Sequence, residues 1–465
     1  MATAGAVPSW VVLDRLVHLH KVDDEEEQDW ATIECSETKA YVTVENGDES
    51  PDGTSPFRLS PFDGLELLVR VAEPPYPSAL SIRLVDDPDK DDRRGFLSNV
   101  LLAGGGFLVL GSCLPDTRGS NSYIVLDAPS GSLAMISTLS LRFRPSVAYT
   151  PLPLRRPDGG YVLVLIAMDM MNSRPADGSG YLPEVICLMP SWLPFDHPWQ
   201  LKTPLFPPEK PRLFGAHEIF SFQGHALWVD LGRGILSCDC EDILLSSNGD
   251  VQFRYIDLPM GCKVDFDPSY HRALPSEYRA IRGMGNSIRF VSIEGYTTMH
   301  RRDMVLCMWT LIVPSSSGWR KVGEISVGEL WEQKGFKTAG LPTHVPPTRP
   351  MLSSHEDGVV YFLLGDFYED EDKDEKYIHM FSINLLTRKF VSSWRIPSSC
   401  CPQSNLELLM ESDILKDIGS HRLLPIAVPH HGEAKRMKWD HHETVMGLTS
   451  SKEDLGRAEK TSGMV

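Results

Sequence analysis

A histidine and an aspartate five residues apart are the residue types of a general acid–base pair, and His225 and Asp230 have this spacing beside two glycine turns. Both residues lie in the segment HEIFSFQGHALWVDLGRGILSCDC, residues 217–240. Successive side chains of a strand point to opposite faces, so a strand that carries both residues separates their side chains. We therefore predict a turn histidine and a turn-opening aspartate here, and no catalytic pair.

The run AGGGF places three consecutive glycines at 104–106, and such runs cradle phosphates in nucleotide-binding loops. Those loops need a strand before the glycines and a helix N-terminus after them. Here the strand-like segment FLVLGSC follows, and no GK[ST] occurs. The glycines predict a hairpin turn.

The thiol groups of cysteine and the imidazole groups of histidine are candidate metal ligands. The nine cysteines include no CxxC spacing, and Cys238 and Cys240 share a strand face, which is typical of buried, reduced thiols. A second cluster lies near the C-terminus in PHHGEAKRMKWDHHETV: His430, His431, Asp440, His441, His442 and Glu443. These are plausible zinc or copper ligands, but an unstructured tail lacks the second shell that orients ligands.

Nucleophile-elbow, HExxH, EF-hand and kinase motifs do not occur in the sequence. We accordingly predict no catalytic, cofactor-binding or metal-binding residues, and no cofactor. Calorimetric titration with zinc would test the histidine-rich tail.

The elements that surround these residues read as short strands. EIFSF, ALWVDL, ILSCDC and VQFRYIDLP follow one another within residues 218–259, separated by Gly-containing turns, and this is the content of one antiparallel meander. Leu227, Val229 and Leu231 lie on one face of the second strand, with Ala226 and Trp228 on the other. Because both faces are apolar, we expect this sheet to pack between two neighbouring sheets.

The same pattern recurs over residues 107–137, 160–206, 287–325 and 358–396. At three of the joints an Asx residue ends a strand four residues before Gly131, Gly234 or Arg388, where its side chain can bond the turn backbone. The Asx residues are Asp127, Asp230 and Asn384. The repetition predicts an all-β fold, a β-propeller-like array of antiparallel four-stranded meanders with about six blades.

For the domain organisation we predict an N-terminal β region at 8–100 that completes or caps the propeller, and propeller-like repeats at 101–400. A helix at 404–419 and a disordered tail then occupy 401–465. The acidic runs DDEEEQD, DDPDKDD and YEDEDKDE lie between strand candidates and predict solvated loops.

The composition excludes some classes of function. The formal net charge is −18 with no basic stripe, which disfavours nucleic-acid binding. The longest apolar run, YVLVLIAM at 161–168, is too short to span a bilayer, and no secretory signal is visible. We expect a cytoplasmic or nuclear protein that binds neither nucleic acid nor membrane.

The central segment at 217–259, together with PSWVVLDRL at 8–16 and EPPYPSALSIRL at 73–84, resembles a large plant family that is expanded in grasses. That family is the domain-of-unknown-function family sixteen-eighteen, with its core here at about 217–331. The resemblance implies no activity, cofactor or catalytic residue. Some relatives carry an N-terminal F-box, which the first 60 residues here do not resemble.

We therefore interpret the chain as a non-enzymatic scaffold that binds a protein partner through rim loops, with YEDEDKDE and the loop at 169–180 as the first candidates. The alternative is a hydrolase whose polar residues converge on the central channel. An axial cavity that gathers several carboxylates or histidines with perturbed pKa values would favour the alternative.

Overall fold

The computed structural model describes most of the chain as β-strands. It describes residues 8–19, 29–45, 57–62, 65–84, 97–113, 121–137, 139, 142–171, 182–190, 199–245, 249–264, 273–312, 318–370, 375–397, 409–419 and 422–425. All of these belong to one compact unit. The histidine-rich tail and the acidic runs at 23–28 and 86–92 lie outside the described residues.

The strands before residue 210 are β1 Val11–Leu19, β2 Ala31–Ile33, β3 Glu37–Glu45, β4 Phe57–Phe62, β5 Leu65–Arg70, β6 Pro77–Leu84, β7 Leu97–Gly104, β8 Phe107–Cys113, β9 Asn121–Asp127, β10 Ser132–Ser137, β11 Phe143–Pro145, β12 Leu152–Arg155, β13 Tyr161–Asp169, β14 Glu184–Pro190 and β15 Gln200–Leu205.

The strands after it are β16 Glu218–Phe222, β17 His225–Asp230, β18 Gly234–Asp239, β19 Asp250–Gln252, β20 Arg254–Asp257, β21 Arg279–Met284, β22 Ser287–Glu294, β23 Val305–Ile312, β24 Arg320–Ser326, β25 Pro347–Leu352, β26 Val359–Asp370, β27 Glu375–Asn384, β28 Lys389–Pro397, β29 Leu409–Ser412 and β30 Leu423–Pro425. The helices are short: α1 Cys240–Leu245, α2 Pro275–Tyr278, α3 Val327–Glu332, α4 Lys334–Thr338 and α5 Ile414–Ile418, with a 3₁₀ turn at Arg301–Asp303.

Three sheets are four-stranded antiparallel meanders: β16–β17–β18–β20, β21–β22–β23–β24 and β25–β26–β27–β28. A six-stranded sheet is built on β13, β14 and β15. A twelve-stranded sheet has two meander-like halves. One half is built around β1, β6, β5 and β2, and the other contains β7 to β10. The pairing of β1 with β7 joins the two halves. The described strands thus form six packing units.

Apolar side chains between the units close them into a ring. The interfaces are β5–β6 against β8–β10, β8–β10 against β13–β14, β12–β14 against β16–β18, β17–β18 against β21–β23, β22–β24 against β25–β27, and β26–β28 against β1. Each unit therefore buries both faces, as neighbouring blades require. The fold is a β-propeller-like ring, as the sequence predicts.

The central segment shows the predicted two-faced packing. Leu227 and Val229 point into the cluster shared with the following blade. Ala226 and Trp228 point into the cluster shared with the preceding one. The predicted strand VQFRYIDLP is divided, however, because its first part (β19) pairs in parallel with β15 and only β20 joins β18. The prediction of one continuous strand was wrong here.

The predicted helix at 404–419 is wrong over Leu409–Ser412 but is confirmed at its C-terminal end. Leu409–Ser412 is a strand that pairs antiparallel with β1, and the helix α5 covers only Ile414–Ile418. Ser412 Oγ donates to Ala103 O (3.2 Å) and accepts from Ile414 N (3.1 Å), which fixes the turn between the two elements. Pairing with the N-terminal strand outweighs the local helical periodicity and closes the ring.

The acidic run YEDEDKDE is not simply a loop. β26 and β27 extend into it and pair at Tyr368↔Tyr377, Glu369↔Lys376 and Asp370↔Glu375, and residues 371–374 lie outside the described residues. Likewise, the predicted boundary at residue 100 falls inside the β7–β8 hairpin. The glycine run at 104–106 is that hairpin's turn, with φ of +62° at Gly105 and +79° at Gly106.

Candidate functional site

His225 and Asp230 do not form an acid–base pair. The His225 Nδ1 lies 2.8 Å from Asp239 Oδ1 on the neighbouring strand β18. The Asp230 carboxylate accepts from the backbone N–H of Gly232 (2.8 Å) and of Gly215 (3.3 Å), as a turn-opening aspartate does. His225 therefore contributes to the contact between β17 and β18, and Asp230 stabilises the turn that joins them.

The cysteines whose side chains are described are free. Burial raises the pKa of the Cys240 thiol to about 11 and raises that of the buried Cys238 thiol as well. Such thiols are not nucleophiles at neutral pH. Within the described ranges, no group of three or more His, Cys, Asp or Glu residues has the arrangement of a metal site.

Two cavities follow the axis of the ring. The larger has a volume of about 730 Å³ and the smaller about 260 Å³. The larger opens among the turns that follow the first strands of several blades, at Gly104–Gly105, Phe222, Gly285 and Ser354; we call this the turn rim. The smaller lies toward the opposite rim, where β21 begins at Arg279.

The two cavities share charged lining residues. Arg15, Glu218, Arg282 and Glu411 line both, and we call these four residues the waist. They come from β1, β16, β21 and β29, so the waist gathers side chains from inner strands that are far apart in the sequence. His217 also lines both cavities, and Asp413 lines the larger one.

One side of the waist is an ion-pair network. The Arg282 guanidinium pairs with Glu411 Oε2, and its second terminal nitrogen lies 3.9 Å from Asp413 Oδ1. The other Glu411 oxygen accepts from the backbone N–H (3.1 Å) and the hydroxyl of Ser354. Because the Glu411 side chain is only 3% exposed, this network fixes the closing strand β29 to the blades that carry Arg282 and Ser354.

Glu218 lies at the waist outside this ion-pair network. Burial raises the pKa of its carboxyl, while the nearby Arg15 and Arg282 lower it. No hydrogen bond or ion pair joins this carboxyl to another described side chain. Arg15 Nε is buried without a hydrogen-bond partner among the described atoms. The waist thus holds a partly desolvated carboxyl beside an incompletely bonded guanidinium.

His217 contributes no charge to this group. Its Nδ1 accepts from the backbone N–H of Leu231 at 3.2 Å, which assigns the ring as neutral with the proton on Nε2. Burial lowers the pKa of His217, although Asp230 partly opposes the shift. The ring therefore stays neutral at physiological pH.

The wall of the larger cavity exposes polar and apolar surface in similar amounts, and we call its apolar part the apolar shaft. Leu101, Phe107, Phe220, Phe222 and Met284 line the larger cavity. Tyr149, also at this cavity, is 69% exposed, and its backbone carbonyl accepts from Tyr123 Oη at 3.0 Å. An exposed aromatic ring on a fixed backbone next to an apolar shaft is a common feature of binding sites.

None of the waist residues was among the sequence candidates. The sequence does contain a sign of these positions, because the short segments RAIRGM and LMES each contain charge next to apolar residues. The pattern does not say which of the many strands are innermost, so it could not single out these positions.

Comparison with known proteins agrees with the resemblance inferred from the sequence. Residues 228–361 match the model of the family described as "Protein of unknown function (DUF1618)". No curated protein matches. Within the described residues, no helix is long and apolar enough to cross a bilayer.

Among solved structures, the chain is similar to the β-propeller domain of Vanderwaltozyma polyspora Nup133. The TM-score is 0.30 with 11% identity, covering 64% of this chain and 72% of that one. For the WD40 domain of SCAP from fission yeast the TM-score is 0.31 with 9% identity, covering 74% and 72%. A protein of unknown function from Dyadobacter fermentans gives 0.29 with 10% identity, covering 84% and 87%.

Proposed function

We propose that this chain, whose residues 228–361 match the family of unknown function DUF1618, is a binding scaffold that receives a segment of a partner protein at the turn rim. The observation that carries the proposal is the axial cavity of about 730 Å³, with its apolar shaft and charged waist. Pockets that combine apolar walls with a few convergent polar groups are the usual binding sites of proteins.

The mouth of the cavity suits a protein partner. Turns from different blades surround it, so a docked segment contacts several rigid units at once. Tyr149 offers a large amphipathic ring, the residue type that dominates the binding energy of many interfaces. We expect Tyr149 to be an anchor of the interface.

The described strand ends that lead into the loops suggested by the sequence lie on the other side of the blades. β13 ends at Asp169 and β26 at Asp370, so both strands lead toward the rim opposite the turn rim. Binding at the turn rim and binding through the loops at 169–180 and 368–375 are therefore separable by mutation.

Proximity labelling with tagged full-length chains in cells of the source organism tests the proposal. The test variant is Tyr149→Ala, and the matched control is Tyr76→Ala, whose ring is 43% exposed and lines neither cavity. Charge reversal of the acidic residues at 369–375 forms a third arm. Loss of a reproducible partner in Tyr149→Ala alone supports binding at the larger cavity.

Loss in the charge-reversal arm alone moves the contact to the loops and contradicts the turn-rim proposal. An empty partner list from the wild-type chain contradicts the scaffold itself.

A hydrolase is the second candidate, and one observation favours it. Glu218, whose pKa is raised by burial, shares the cavity with the carboxylates of Glu411 and Asp413. A protonated carboxyl near an ionised one is a common acid–base arrangement. Hydrolysis of chromogenic ester or glycoside substrates that is lost in Glu218→Gln and kept in Glu209→Gln, an exposed position, would establish it.

A further inference from the structure

The charges around the larger cavity do not balance. Three carboxylates, from Glu218, Glu411 and Asp413, face two guanidinium groups, from Arg15 and Arg282. Both Glu411 and Asp413 interact with Arg282. When Glu218 is ionised, these five side chains carry one net negative charge on the side of the larger cavity, whereas Arg279 and Arg349 line the smaller cavity beyond the waist.

The shape of the cavity complements a long side chain that ends in a cation. The apolar shaft, formed by Leu101, Phe220 and Phe222 among others, leads from the mouth to the waist. Lysine and arginine pack their aliphatic stems on apolar surfaces and place the charged head group at a polar end. A neutral side chain of the same length would fill the shaft but would leave the net negative charge of the larger cavity's lining unbalanced.

We propose that the axial cavity takes a single lysine or arginine side chain from the bound partner protein, with its stem in the apolar shaft and its cation beside Glu218 and Asp413. This inference rests on the proposed scaffold function and adds the chemistry of the recognised residue. The cation balances the net negative charge of the larger cavity's lining, and the head group donates hydrogen bonds to a carboxyl that has none from described side chains.

Binding should be coupled to the ionisation of Glu218. Burial raises the pKa of its carboxyl, and Arg15 from β1 and Arg282 from β21 oppose the shift. Glu411 and Asp413 face the site from the C-terminal segment, and His217 is neutral. A cation binds the ionised form more tightly, so affinity should rise with pH through that raised pKa and level off above it.

The test uses the full-length chain and blocked pentapeptides, acetyl-Gly-Ala-X-Ala-Gly-amide, in which X is lysine, arginine or norleucine. Norleucine keeps the length of the lysine stem without its charge. Calorimetric titrations between pH 5 and 8 compare wild type with Glu218→Gln, Asp413→Asn and the exposed control Glu209→Gln.

We expect the lysine or arginine peptide to bind at least tenfold more tightly than the norleucine peptide. Glu218→Gln should remove most of this preference and the pH dependence, Asp413→Asn should weaken binding, and Glu209→Gln should change nothing. Equal binding of lysine and norleucine peptides, or a preference and pH dependence that survive in Glu218→Gln, would overturn the inference.

The two proposals fail in different ways. If Tyr149→Ala loses a partner but the peptides show no preference for a cation, only the cation inference fails. If the wild-type chain captures no partner at all, the scaffold proposal fails whatever the peptides do.

Discussion

The closing strand β29 should depend on Glu411 for its stability, and Glu411→Ala is the perturbation that tests this. The substitution removes the partner of the Arg282 guanidinium and the acceptor of both hydrogen bonds from Ser354. Afterwards the remaining ion-pair partner of Arg282 among the described side chains is Asp413, whose Oδ1 lies 3.9 Å from the guanidinium.

The expected loss can be worked from these contacts. Breaking a buried ion pair from one side costs about 3–5 kcal/mol, because the other charge is left buried and unpaired. Glu411 is 3% exposed but Arg282 is 25% exposed, so water relieves part of the cost to the guanidinium. We therefore expect the lower end of that range, about 3 kcal/mol in the free energy of unfolding.

Urea denaturation followed by tryptophan fluorescence measures the loss, with the midpoint and slope fitted for each variant. Glu411→Gln, which can still accept from Ser354, should lose less than Glu411→Ala. Replacing both charges with apolar residues, as Glu411→Leu with Arg282→Met, should recover most of the loss. A loss below about 1 kcal/mol for Glu411→Ala, the range of exposed ion pairs, would refute the reasoning.

Three further outcomes are expected. Glu218→Gln should raise the midpoint of thermal unfolding at pH 7, because burial raises the pKa of the Glu218 carboxyl and its ionised form destabilises the fold. This gain in the midpoint should vanish near pH 4, where the Glu218 carboxyl of the wild type is protonated too. Gly234→Ala should lower the free energy of unfolding by about 1–3 kcal/mol, because the new Cβ would lie 2.5 Å from Tyr255 Cζ. Gly215→Ala is the control: its new Cβ would have no atom within 4 Å, so the free energy of unfolding in the same denaturation assay should be nearly unchanged. Trp228→Ala should cost about 3–5 kcal/mol in that assay, because the ring is 1% exposed between two blades.

Much of the local structure could be predicted from the sequence, because it depends on neighbours along the chain. The alternation at Leu227 and Trp228 correctly indicated a sheet packed on both faces. Asp230 and Asn384 bond the backbone of their turns as predicted: Gly232 N donates to Asp230 Oδ1 at 2.8 Å, and Thr387 N donates to Asn384 Oδ1 at 2.9 Å. Asp127 accepts instead from a turn side chain, Ser130 Oγ, at 2.7 Å. These are contacts within a few residues, which a short stretch of sequence specifies by itself.

The candidate site was decided by the tertiary structure. Arg15 and Glu411 line the same cavities only because β1 and β29, which are far apart in the sequence, pair to close the ring. The same pairing turned the predicted helix around Met410 into a strand. Strand periodicity determines which face of a strand is apolar, but it carries no information about which strand becomes innermost. The sequence by itself therefore determined the blades and their turns, whereas the charged waist exists only where the inner strands of the closed ring converge.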